Sequence, residues 1–167
     1  MIRKPAFIAL CLVAIIIASA TGAFLYIRSQ KIIPAQIKHQ LDFLVFLPPE
    51  SQSSHIENKS FKYDANLKVF SVVVTSFNVK NTISEQPTPD AFNDIPGYYD
   101  KLTQNLNSYT NFETDLGRVY LTRPEELKGK QSAIMSTKGT LMFASPNKDL
   151  TDSQWRQFFN SLSIISN

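Results

Sequence analysis

Cysteine, glycine, histidine and tryptophan are all scarce in this chain of 167 residues, which holds one Cys, five Gly, two His and one Trp. The single cysteine, Cys11, lies near the start, so residues 41–167 have no thiol. That excludes disulfides and thiolate metal sites there. Few glycines leave no Gly-rich phosphate loop and no Gly-x-Ser-x-Gly elbow. His39 and His55 are the only histidines, and they are not spaced as a helical metal pair. A Ser–His–Asp triad would depend on His55 alone. Acidic residues are absent before residue 41, where Arg3, Lys4, Arg28, Lys31 and Lys38 give +5. Residues 41–167 carry 12 basic and 14 acidic side chains. The overall +3 therefore belongs to the N-terminal stretch. The remainder lacks the basic surplus on which nucleic-acid binding depends, and no nucleic-acid partner is expected.

What is present is one long apolar run. Residues 6–27 carry no charge and are flanked by Arg3 and Lys4 before and by Arg28 and Lys31 after. As a helix these residues would span roughly 33 Å, enough for a hydrocarbon core of about 30 Å. Such a helix satisfies its own backbone where no water reaches. The basic flanks suit anionic headgroups, and Tyr26 suits the interface. The run predicts a signal anchor in the lipid bilayer, with residues 1–5 as a cytoplasmic tail and the C-terminal part extracytoplasmic. Ala18-Ser19-Ala20 matches a small-x-small cleavage site, so secretion after cleavage following Ala20 is the alternative. Ile8-Ala9-Leu10-Cys11 lacks the small residue expected before a lipidated cysteine. Ala14, Ala18 and Gly22, four apart, would allow close helix approach in a scaffold or secretion component.

Residues 28–40 read as a juxtamembrane stalk, with Ile32, Ile33 and Ile37 on one helical face near Pro34. Residues 41–167 are the right length for one domain. Apolar and β-branched runs predict strands at 41–47, 60–63, 67–77, 78–86, 112–115, 118–122, 132–136 and 140–144, with 50–58 as loop. In 67–77, apolar residues on both faces (Val69, Val73 and Phe77; Phe70, Val72 and Val74) point to a central strand. Lys138-Gly139 suits a hairpin turn. Thr88 as N-cap and Pro89 at the first helical position predict a helix that Pro96-Gly97 interrupts, followed by a piece carrying Tyr98, Tyr99, Leu102 and Leu106. Thr151 and Gln154 form a capping box, with Leu150 and Trp155 as staple. Trp155, Phe158, Phe159 and Leu162 then make one apolar stripe. The fold class is α+β: a transmembrane helix, then a mainly antiparallel sheet with a Pro-interrupted helical insert and a C-terminal amphipathic helix packed on the sheet.

Candidate chemistry is sparse. Asp90 with Asp94, Glu113 with Asp115, and Glu125 with Glu126 are the acidic pairs, and no Ca²⁺-loop pattern accompanies them. Each reads as solvated surface, and Asp90 and Asp94 also suit a helix N-terminus. No catalytic residue, metal or cofactor is expected. Tyr98, Tyr99 and Tyr109, with Trp155, offer contact area with polar tips, so the tyrosines are the expected surface for an envelope polymer or a protein partner. The alternative is an envelope-active hydrolase using acidic residues. It would require two carboxyls about 5–10 Å apart in a cleft.

The order of elements adds a resemblance. Residues 41–49, the strand ending at Phe77, Gly117-Arg118-Val119-Tyr120-Leu121, residues 131–143 with Thr140-Leu141-Met142-Phe143-Ala144, and the terminal helix resemble small extracytoplasmic bacterial domains of unknown function. Those domains occur on single-span proteins and lipoproteins, some linked to anti-sigma factors. The chain also resembles uncharacterised membrane proteins of candidate-phylum bacteria. The likeness rests on element order across most of residues 41–167. The insert at 88–106 departs from it, and no catalytic residue carries over. The predicted anchor, joined to a domain with ordinary core patterning and no catalytic constellation, points to a membrane-anchored binding module.

Overall fold

The computed structural model describes residues 33–165. The expected anchor at 6–27, its cleavage site and its small-residue stripe lie outside the described residues. Among the described residues no helix is long and apolar enough to cross a membrane. The chain divides into two units, 1–33 and 34–167.

A one-turn helix, α1 (Ala35–Lys38), opens this unit after Pro34. It is followed by three-residue strands β1 (Val45–Leu47), β2 (Ser54–Ile56) and β3 (Lys62–Asp64). Long strands β4 (Val69–Ser76) and β5 (Val79–Pro87) form a hairpin. The insert is α2 (Ala91–Asp94) and α3 (Tyr98–Asn105). Two more hairpins follow, β6 (Ser108–Thr114) with β7 (Gly117–Thr122) and β8 (Ser132–Thr137) with β9 (Thr140–Pro146). Helix α4 (Asp152–Ser161) and strand β10 (Ser163–Ile165) complete the described residues.

The main sheet is antiparallel throughout, in the order β2-β4-β5-β9-β8-β7-β6, with β3 sharing the β4 edge with β2. A separate two-stranded ribbon pairs β1 with β10, bringing the two ends of the unit together. Side chains alternate across each strand, so register divides the sheet into two faces. Phe70, Glu85, Met142, Met135, Val119 and Phe112 stand in one row on the inward face. Ser71, Ser84, Phe143, Ile134, Tyr120 and Asn111 form the matching row on the outward face.

The inward face carries most of the core. Helix α4 presents Trp155, Phe158 and Phe159, all buried. The Phe159 ring meets Phe112 at 6.2 Å, fastening the helix to the sheet. Burying each of these rings contributes about 1.5–3 kcal/mol before entropy is counted. The helix starts as its sequence specifies: Thr151 accepts from the Gln154 N–H, and Gln154 accepts from the Thr151 N–H at 2.9 Å.

Four expectations need correction. The first strand is only Val45–Leu47, because residues 41–44 form the approach to the ribbon. The segment 50–58 is not all loop, since Ser54–Ile56 pairs with β4. The strand expected at 60–63 begins with a 3₁₀ turn, Asn58–Ser60, and pairs only over Lys62–Asp64. Thr88 does not cap the insert either. Its hydroxyl bonds that of Ser136 at 3.2 Å, and α2 starts after Asp90 without a side-chain cap. The return of β5 after β4, the Lys138-Gly139 hairpin and the break at Pro96-Gly97 are as expected. Lys138 (φ 46°) and Gly139 (φ 78°) adopt the paired positive φ of a type I′ turn.

Candidate functional site

The outward face is where side chains remain free. Helices α2 and α3 lie over its β7 side. Gly97, at φ 72°, lets the chain turn between them. Phe92 from α2 meets Tyr98 at 5.7 Å and Tyr99 at 5.1 Å. Tyr99 in turn stands edge-on to Tyr120 of β7 at 5.6 Å. This stack fixes the insert on the sheet. Its outer corner remains in solvent, with Ile95 45% and Tyr98 38% exposed. The Tyr98 N–H donates to the Ile95 carbonyl at 3.0 Å, a main-chain turn that places the two exposed residues close along the chain.

The three tyrosines singled out in the sequence therefore have different positions. Tyr98 is at the exposed corner. Tyr99 is half-buried and acts as the anchor. Burial pushes its hydroxyl pKa up, Tyr120 adds to the shift, and the Ser136 backbone opposes it. Its hydroxyl makes no hydrogen bond that meets normal geometry. Tyr109 belongs elsewhere, at the bulge that breaks the β6 register between Ser108 and Thr110. It accepts from Gln131 Nε2 at 2.6 Å and lies under the Arg123 guanidinium, 5.5 Å from its ring centre. Gln131 also accepts the Leu150 N–H at 2.8 Å. Tyr109 thus braces the loops at that end of the sheet. Trp155, the fourth aromatic considered, is buried in the core.

Beside the insert, the outward face is bare over β4, β5 and β9. A groove of roughly 390 Å³ runs there, lined by Val73, Thr82 and Ser145 from the sheet and by Leu127, Lys130 and Gln131 from the β7–β8 connection. Lys80 stands at its edge, paired with Glu57 at 2.7 Å.

The acidic pairs do not converge on a cleft. Asp90 and Asp94 are exposed on a single helical turn. Glu113 is drawn into an ion pair with Arg118 at 2.6 Å, while Asp115 lies in the following turn. Glu125 and Glu126 are exposed on a 3₁₀ turn. No group of three or more His, Cys, Asp or Glu side chains able to hold a metal occurs among the described residues. His55 is exposed on β2, 3.5 Å from Glu50, and His39 is exposed after α1.

Sequence reasoning missed one group, Glu85. It is fully buried on the inward face of β5, and its two oxygens accept the Phe46 N–H at 3.0 and 3.2 Å. Burial drives its pKa well above the ordinary carboxyl value, and the Phe46 bond opposes that only in part. Asn81, two inward positions earlier, is also buried, and neither of its amide atoms has a protein partner. The signal was available in the alternation Val79, Asn81, Ile83, Glu85: the polar members share phase with the apolar ones. Searches of family models, curated proteins and solved structures find no match to this chain.

Proposed function

We propose that this chain is a single-pass membrane protein whose extracytoplasmic α+β domain binds a protein partner through the corner formed by Ile95 and Tyr98. The observation that carries this reading is two large apolar residues three apart, Ile95 and Tyr98, both exposed, with the Tyr98 ring backed by Phe92. Aromatic and aliphatic groups held by a buried stack lose little entropy on binding, and residues of this kind form interface anchors. The anchor is supported by the charge-free run 6–27 and its basic flanks. The compact unit that begins at residue 34 fits a domain carried on such an anchor.

A hydrolase receives less support. Among the described residues, the carboxylates of Asp42, Glu57, Glu113 and Asp149 are taken up in ion pairs, and the buried Glu85 has no acidic neighbour in its row. An anionic envelope polymer is the second reading, favoured by Lys80 and Lys130 along the outward groove. Site-specific photo-crosslinking in the native host separates these. A photoreactive residue at position 95 or 98 is expected to give a discrete protein adduct, while one at Lys59, on the 3₁₀ turn before β3, gives none. Adducts at 80 and 130 only, resistant to protease, would replace the protein partner by the polymer. No adduct at any of the four would overturn the binding role.

A further inference from the structure

The ribbon of β1 and β10 pairs with no strand of the main sheet. Its hydrogen bonds to that sheet run through side chains. The Thr140 hydroxyl donates to the Leu44 carbonyl at 2.7 Å, just before β1. The Phe46 N–H, at the middle of β1, donates to Glu85. A carboxyl thus occupies the place where a strand-to-sheet contact would otherwise be apolar.

We infer that Glu85 is a proton-operated latch: the β1–β10 ribbon docks on the inward face while Glu85 is protonated and loosens as Glu85 ionises. The surroundings give the reason. Across the sheet Glu85 is flanked by Phe70 and Met142, and above it stands the Phe46 backbone. The helix over the same face contributes Trp155, Phe158 and Phe159. Strand β10 has no titratable residue. The charged groups of the neighbouring elements are Lys38 and His39 at α1, Asp42 before β1, Lys68 before β4, Lys80 on β5, Lys138 in the β8–β9 turn, and Asp152 and Arg156 on α4. All are exposed except Lys38, which is half-exposed, and none bonds Glu85. Asp42 and Lys68 pair with each other at 2.5 Å, and Arg156 lies over the Phe112 ring.

A carboxylate in this position would have one N–H donor and no cation, a poor return for its lost hydration. A neutral carboxyl keeps the Phe46 bond through its carbonyl oxygen at far smaller cost. The sign of the coupling follows. The docked form holds a proton that the undocked, hydrated carboxyl releases, because its pKa is raised. Docking is therefore strongest below the ordinary carboxyl range and weakens as pH climbs through the raised value of Glu85. Strand β1 is the first strand after the apolar run in sequence, so the proton would set the order of the first strand of the domain.

Hydrogen exchange on the full-length chain between pH 4 and 9, corrected for intrinsic rates, tests this. Protection at 45–47 and 163–165 is expected to fall by up to tenfold per pH unit over part of that range. In Glu85→Gln it should stay level. Constant protection in the wild type, or the same decline in Glu85→Gln, would overturn the latch. Should that variant fail to fold, carbon NMR of the wild-type Glu85 carboxyl decides. A raised midpoint that coincides with ribbon loosening supports the proposal, and a midpoint in the ordinary carboxyl range refutes it.

Discussion

The two faces of the sheet are built from different parts of the chain and by different rules. The inward face is closed by both ends of the unit: β1 arrives first, and α4 with β10 arrives last. Its row is apolar apart from Glu85. The outward face is closed only on one side, by the insert from the middle of the chain. Its row mixes Ser71, Ser84 and Asn111 with Phe143, Ile134 and Tyr120. The difference teaches where stability and recognition are divided. Inward contacts are long-range and tie the termini to the sheet, so they determine whether the domain folds. The outward insert is held to the sheet by Tyr99, between Phe92 and Tyr120, while Ile95 and part of the Tyr98 ring stay exposed.

The strongest challenge to this division is Trp155→Ala. The ring is fully buried and touches Phe158 and Phe159. Its loss is expected to cost about 3–5 kcal/mol in chemical denaturation, enough to unfold a marginal domain. A cost under about 1 kcal/mol would mean that the inward face is not the main core. Next comes Thr151→Ala, which removes the capping box of the helix that closes that face. About 1 kcal/mol should be lost, with the m-value unchanged. On the outward face, Tyr99→Phe keeps the ring stack and deletes a buried hydroxyl that lacks a well-formed hydrogen bond. The change should be neutral or stabilising by up to about 1 kcal/mol. A clear loss would show that the Ser136 backbone binds that hydroxyl.

Much of this plan is legible in the sequence, and the failures are informative. Strong local grammar reads correctly: the Thr151 capping box, the Lys138-Gly139 turn, the Pro96-Gly97 break and the two-phase alternation of β4. Short strands read poorly. Ser54–Ile56 and Ser163–Ile165 are three residues long, and their pairing with β4 and β1 is a tertiary event that no local pattern encodes. Thr88 followed by Pro89 imitates a helix start, yet its hydroxyl is claimed by Ser136, 48 residues away. The tyrosines were found as residues but not as a site, because the β6 bulge separates Tyr109 from the Tyr98–Tyr99 pair. Glu85 is hard to read from sequence because an acidic residue near the end of a strand normally reads as solvated. Its shared phase with Val79 and Ile83 is the one sequence signal, and the register, which places it between Phe70 and Met142, shows its burial.

The most direct test of the division between faces is the stability of the double variant Ile95→Ala, Tyr98→Ala. If these side chains are held in reserve for a partner, truncating both leaves the unfolding free energy within about 0.5 kcal/mol of wild type, as for ordinary surface positions. A loss of more than about 2 kcal/mol would make the corner part of the core and leave no side chain there to spare for binding.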